Sequence, residues 1–250
     1  MAIESYTFND VKGSQTPDSS TFDFSKIMAG ASHLLDKSDK SVDRLTSSGD
    51  IDFSGKSLFL CSDSKDEKPK DPNQEKFAKA GDKAYSNGDY KEAEKQYKSL
   101  LEVNANHYGK DSKEVAFANE LLGITCEKDK RYADAKGYYK QSAEVTGKAS
   151  GKDHYETGLQ LNNAARMDHQ LNNWKEAAAG YKSAVAILAA EKNGPSSDNA
   201  RMTDATTALK NYADVLKELG DQDEAAKQLK RAAEIKKNYL DGPKRNDIYY

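Results

Sequence analysis

Between Asn73 and Gly194 the chain has no proline, although average usage would place about six in a stretch of that length. The five prolines are Pro17, Pro69, Pro72, Pro195 and Pro243. Proline removes an amide donor and breaks a helix interior, so its absence, with plentiful Ala, Lys, Glu, Leu and Tyr, leaves room for helix after helix. Cysteine is scarcer still. Cys61 and Cys126 are the only two, and thiols in regions of unlike composition give neither a disulfide framework nor a zinc site. No long apolar run is present, and Met1 to Asp10 lacks a basic stretch followed by an apolar one. A membrane span and a signal peptide are therefore not expected, and cytoplasmic residence is the default.

An excess of charge is also missing. The 38 Lys and Arg nearly balance 41 Asp and Glu, for a formal net charge of -3. Residues 1–72 hold 9 basic against 13 acidic side chains and residues 73–250 hold 29 against 28, so the larger part is near neutral. That balance gives no electrostatic reason to bind a nucleic-acid backbone. Catalytic patterns are absent too: no glycine-rich phosphate loop, no Gly-x-Ser-x-Gly elbow and no histidines at zinc spacing. His33, His107, His154 and His169 are scattered, and the expectation is a protein with no catalytic residues, no metal and no cofactor.

Hydrophobic residues make up 36% of the chain and charged ones 32%, with a mean hydropathy of -0.92. Such values suit partial disorder or a solenoid with a thin, one-dimensional core. Residues 1–72 contain fourteen serines and eleven aspartates and are expected to be mostly disordered. Within them Ile27, Ala31, Leu34, Leu35, Val42 and Leu45 share a helical face, which predicts a short helix over 26–46 that Ser25 is placed to cap.

The span free of proline repeats itself. Gly88-Asp89-Tyr90-Lys91-Glu92-Ala93 with Tyr97 and Leu100 is matched by Lys130-Arg131-Tyr132-Ala133-Asp134-Ala135 with Tyr139 and Ser142. Asn172-Asn173-Trp174-Lys175-Glu176-Ala177 with Tyr181 and Ala184 follows, then Gly220-Asp221-Gln222-Asp223-Glu224-Ala225 with Leu229 and Ala232. Ala93, Ala135, Ala177 and Ala225 lie 42, 42 and 48 residues apart, and within each segment the steps are 3, 4 and 3. Those steps keep side chains on one helical face. Gly88, Asn172 and Gly220 suit the left-handed conformation that ends a preceding helix, whereas Lys130 predicts a looser turn. Upstream of each turn a second apolar pattern, including Ala80-Gly81, Leu122-Gly123, Ala164-Ala165 and Tyr212-Ala213, supplies small residues where two helices cross closely. Cys126 falls on that inward stripe.

These pairs, turns and alanines resemble the tetratricopeptide repeat family. The spacing of 42 residues exceeds the usual period and is similar to the longer subtype of kinesin light chains, also widespread in bacterial proteins. The resemblance implies an all-α solenoid of four antiparallel helix hairpins at roughly 74–107, 112–149, 154–193 and 199–240, with a tail over 241–250. It implies a scaffold or adaptor that binds a protein or an extended peptide along the first helix of each pair. The groove positions would be Ala78, Asp82 and Tyr85; Glu120, Ile124 and Glu127; Asn162, Asn163, Arg166 and His169; and Lys210, Asn211, Asp214 and Lys217. In the longer subtype, groove asparagines hold the peptide main chain; Asn163 and Asn211 match that pattern, whereas Leu121 and Lys79 occupy the equivalent places and depart from it. Ala78 and Asp82 stand where a chaperone-tail clamp would need Lys and Asn, so no such binding is expected. Leu58-Phe59-Leu60 with Asp63, Asp66 and Glu67 resembles a segment that lies over the groove in kinesin light chains. A second expectation is self-assembly, because nothing after Leu240 looks like a polar capping helix.

Overall fold

The computed structural model describes residues 71–190 and 199–241. The expected helix over 26–46, the segment Leu58-Phe59-Leu60, Cys61 and the tail after Asp241 lie outside those residues. Eight helices fill the described part, with no strand among the described residues: α1 (Pro72–Ser86), α2 (Tyr90–Tyr108), α3 (Lys113–Lys128), α4 (Tyr132–Ala149), α5 (Tyr155–Gln170), α6 (Trp174–Leu188), α7 (Asn199–Glu218) and α8 (Gln222–Asp241). Each packs chiefly on its neighbours in the chain, giving four successive hairpins, α1–α2 to α7–α8, that stack in order.

Local chemistry sets the helix ends. Asp71 accepts from the Asn73 amide at 2.8 Å and Pro72 takes the first helical position, where its missing N–H is harmless. Asp89, Ser112 and Asp221 cap α2, α3 and α8 by accepting from the amides of Glu92, Val115 and Glu224. The four turns inside the hairpins share one hydrogen-bond pattern. Gly88 N–H donates to Tyr85 and Asp89 N–H to Ala84, each at 2.9 Å, and the equivalent pairs recur at 130–131, 172–173 and 220–221. This double closure requires one residue at positive φ. Gly88 (φ 77) and Gly220 (φ 82) meet that requirement without strain, and Asn172 (φ 58) tolerates it. Lys130 does not make the looser turn expected of it: at φ 59 it adopts the same conformation, with Arg131 N–H to Cys126 at 2.8 Å.

The recurring stripe is the core. Ala93, Ala135, Ala177 and Ala225 are at most 1% exposed, as are Tyr97, Tyr139 and Tyr181. Glycine is needed where the tyrosines cross the first helices. A Cβ on Gly81 would meet the Tyr97 ring at 2.4 Å, and one on Gly123 would meet Tyr139 at 2.8 Å. In the third hairpin the space is moved to the second helix: Ala165 stands at the equivalent place, and a Cβ on Gly180 would lie 2.8 Å from that of Ala165.

Buried apolar residues form two clusters that meet in α5, where Ala164 and Met167 join the first and Ala165 the second. Beside that junction Lys136 of α4 reaches Asp168 of α5 at 2.8 Å, and Asp168 also accepts from the Asn173 amide at 3.1 Å. An acid buried this deeply is tolerated because it is both paired and hydrogen-bonded.

Candidate functional site

The first helices of successive hairpins (α1, α3, α5, α7) form one layer and touch each other through side chains. Arg166 of α5 donates from both terminal nitrogens to Glu127 of α3, with Nη2 to Oε2 at 2.8 Å. Tyr155 of α5 donates to Asp204 of α7, and the Arg201 guanidinium stacks over the Tyr155 ring at 4.8 Å. Between α1 and α3 the link is apolar: Ala78, Tyr85 and Ile124 belong to one buried cluster.

That linkage corrects part of the expected groove. Ala78 (2% exposed), Tyr85 (9%) and Ile124 (8%) are packed inside the array and are not open groove positions. Arg166 and Glu127 are half-buried and bonded to each other. Asp82, Glu120, Asn162, Asn163, His169 and Asn211 are also half-buried, while Lys210, Asp214 and Lys217 are exposed. Asp214 accepts from Lys217 at 2.9 Å. The Oδ1 of Asn162 is buried without a hydrogen-bond partner. His169 sits edge-on to Trp174 and Tyr181, with ring centroids 5.4 and 6.2 Å away.

Beneath this row lies a feature the sequence reading missed. The core tyrosines are long enough to carry their hydroxyls from the second helices to the first-helix layer. Tyr97 donates to Asp82 at 2.8 Å and Tyr139 to Glu127 at 2.9 Å. Burial, with the facing carboxylate, pushes both phenols upward. Burial also raises the Asp82 carboxyl, and the bond from Tyr97 offsets only part of the rise. The available signal was tyrosine, not phenylalanine, at three equivalent core places with Asp82 and Glu127 nearby. The buried Tyr181 hydroxyl has no carboxylate acceptor of this kind, and the side-chain amide of Asn211 is the group beside it. Burial raises its phenol, Arg166 and the adjoining Asn211 amide oppose the rise, and Asp214 adds to it.

A second network joins the other helices. Arg131, at the start of α4, donates to Glu94 of α2, to Asp129 and Asp134 at 3.0 Å, and to the Cys126 Sγ at 3.2 Å. Cys126 is fully buried, and burial pushes its thiol up to about 11 in spite of Arg131. A thiol held this far above neutrality is a poor nucleophile. Among the described residues no group of His, Cys, Asp and Glu is arranged to hold a metal ion, and no helix is long and apolar enough to cross a membrane.

Hairpins of this geometry, repeated with Ala and Tyr at fixed places, define a class of helical repeat. The family described as tetratricopeptide repeat matches residues 80–148 and 114–190, so that stretch carries tetratricopeptide repeats. Proteins built from them generally mediate contacts between proteins and are as a rule not enzymes. Among solved structures, BtubC (BKLC) from P. vanneervenii is similar at 19% identity, with 74% of this chain and 73% of that chain covered and a TM-score of 0.59. A Podosopora anserina putative kinesin light chain with nearly identical TPR-like repeats is 13% identical, over 70% of this chain and 100% of that one, with a TM-score of 0.46. MamA protein is 16% identical over 71% and 97%, with a TM-score of 0.29. No curated protein matches the chain.

Proposed function

We propose that the chain is a non-enzymatic scaffold whose first-helix layer binds an extended peptide segment of a partner protein. The observation that carries the reading is the row of amides on that layer. Asn162, Asn163 and Asn211 are half-buried, so water competes with them less than at the open surface, and the Oδ1 of Asn162 has no partner within the protein. An extended peptide offers a main-chain donor and acceptor at each residue, which is what such amides recognise. The exposed Lys210 adds an outer positive charge. Nothing in this row asks for a nucleic acid, a cofactor or a membrane.

The test compares affinity captures on the full chain with those on Lys210→Glu and Asn211→Ala, and with the control Lys95→Glu on α2. Asn211 and Lys210 can be altered without breaking an ion pair, whereas reversing Arg166 would strand Glu127. A partner captured by the wild type and by Lys95→Glu, and lost from both α7 variants, is the expected result. A partner retained equally by all four proteins would refute the reading.

The second reading is self-assembly through α8. In its favour, Leu240 and Leu229 are 62% and 37% exposed. Against it, Lys236 is exposed at the place where α6, α4 and α2 bury Leu188, Thr146 and Asn104, and a polar outer face is what closes a repeat array. Light scattering separates the two, since a mass that rises with concentration and falls back in Leu240→Glu supports assembly.

A further inference from the structure

The last described helix lacks the cover that its counterparts have. Each of α2, α4 and α6 packs between its own hairpin partner and the first helix of the next hairpin, whereas α8 packs on α7 and no described helix follows it. The difference shows at equivalent places. Tyr139 and Ala143 of α4 are 1% and 5% exposed, and Tyr181 and Val185 of α6 are 0% and 4% exposed. Their counterparts on α8, Leu229 and Ala233, are exposed, as is Leu240 further along. Steps of four and seven residues hold these three side chains on one stripe.

The stripe is edged by charge of one sign. Helical spacing puts Lys236 on one side of it and Lys230 and Lys237 on the other, and all three are exposed. Asp223, Glu234 and Asp241 lie roughly 100° or more around the helix from the stripe. Lys230 comes no nearer to Glu234 than 4.0 Å, and among the described residues no acid pairs with Lys236 or Lys237. The charges select between occupants. A second copy presenting the same face would set Lys236 and Lys237 of both chains against each other. A copy stacked head to tail would bring up Lys76, which α1 exposes where α3 and α7 bury Ala118 and Ala208. Both contacts oppose like charges, and an apolar stripe bordered by acids opposes none.

We propose that the open face of α8 docks an amphipathic helix of a partner protein whose apolar stripe is flanked by Asp and Glu, lying as α3, α5 and α7 lie on α2, α4 and α6. Leu229, Ala233 and Leu240 receive the apolar ridge, and Lys236 and Lys237 meet the flanking acids. This face is separate from the first-helix layer, and its occupation does not depend on a peptide there.

The test offers the full chain a displayed library of twenty-residue amphipathic helices, with Leu and Ala fixed along one stripe and the flanking positions random. The wild type should enrich Asp and Glu at the flanks about fivefold, the size expected of two exposed ion pairs. Lys236→Glu combined with Lys237→Glu should turn the preference to Lys and Arg, and Leu240→Asp should abolish it; all three positions are exposed, so the fold is kept. Asn211→Ala, on the first-helix layer, should leave it unchanged. Flanks that stay random with the wild type, or an acidic preference kept by the double reversal or by Leu240→Asp, overturn the proposal. Loss of the preference in Asn211→Ala would move the helix to the first-helix layer and overturn it equally. So would enrichment that appears only after Ile248, Tyr249 and Tyr250 are changed to serine, which would assign the face to the chain's own tail. A mass that rises with concentration and falls back in Leu240→Glu would assign it to a second copy.

Discussion

The same substitution, glycine to alanine, is expected to act with opposite sign at two places in adjoining helices. At Gly123 the added methyl would lie 2.8 and 2.9 Å from two carbons of the Tyr139 ring, and at Gly81 it would lie 2.4 to 2.9 Å from three carbons of Tyr97. Neither ring can step aside. Tyr97 and Tyr139 are 0% and 1% exposed, and their hydroxyls are tied to Asp82 and Glu127 on the helix that carries the glycine. Alanine gains about 0.5–1 kcal/mol over glycine inside a helix. Overpacking costs about 1–3 kcal/mol, and the tyrosine hydrogen bond, if broken, costs about 1 kcal/mol more. The balance is a loss of about 1–3 kcal/mol at Gly123 and more at Gly81. Gly137, exposed on α4 with open space around its missing Cβ, should show only the helical gain of about 0.5–1 kcal/mol. Urea denaturation followed by circular dichroism measures all three through the shift in midpoint. If Gly123→Ala stabilised as much as Gly137→Ala, the close crossing of tyrosine over glycine would be wrong, and with it the register of the hairpins.

Lys130→Gly should raise stability by about 1 kcal/mol, because a side chain at φ 59 pays a steric cost that glycine avoids; an unchanged or lower urea midpoint would contradict this. Asp82→Asn should be more stable relative to wild type at neutral pH than at acid pH. The Asp82 carboxyl is raised by burial, so the charged form disfavours folding above its range, and its protonated form is favourable at and below the ordinary carboxylate range. Melting curves at pH 7 and pH 3 test the sign, and a gap that widens on acidification would refute it. In a Cys61→Ser variant, Cys126 should fail to react with a disulfide reagent at neutral pH until the protein is unfolded, given its full burial and a thiol pushed up to about 11; prompt reaction in the native protein would show that the α3 core opens.

What could be read from the chain was whatever depends on spacing within about forty residues. The steps from Tyr90 to Ala93, Tyr97 and Leu100 fix a buried helical face by periodicity alone, and the structure buries Ala93, Tyr97 and Leu100 completely. The turn at Lys130 was misjudged because residue preference names Gly and Asn for positive φ. The two closing hydrogen bonds to Glu127 and Cys126, with Arg131 tied to Glu94 on another hairpin, hold lysine there in spite of that preference. The groove was legible only in part. That α1, α3, α5 and α7 form one layer follows from the repeat. Which of their outward positions remain open depends on how adjacent first helices meet: Ile124 closes on Tyr85 and Ala78 within one cluster, and Arg166 pairs with Glu127, 39 residues away. A periodic pattern holds no information about which charge will turn toward which. The tyrosine hydroxyls were hidden for a related reason, since a core stripe is read for its apolar bodies, while the polar tips of Tyr97 and Tyr139 meet acids of the neighbouring helix inside the array.

The most direct measurement is positional crosslinking of a captured partner. A photoreactive phenylalanine placed at Glu120 or Asn211, on the first-helix layer, should form adducts with one contiguous stretch of partner chain. The same residue at Lys95 or Glu144, on the second helices, should form none. Adducts confined to the second-helix positions, or spread equally over all four, would contradict the claim that the first-helix layer is the binding face.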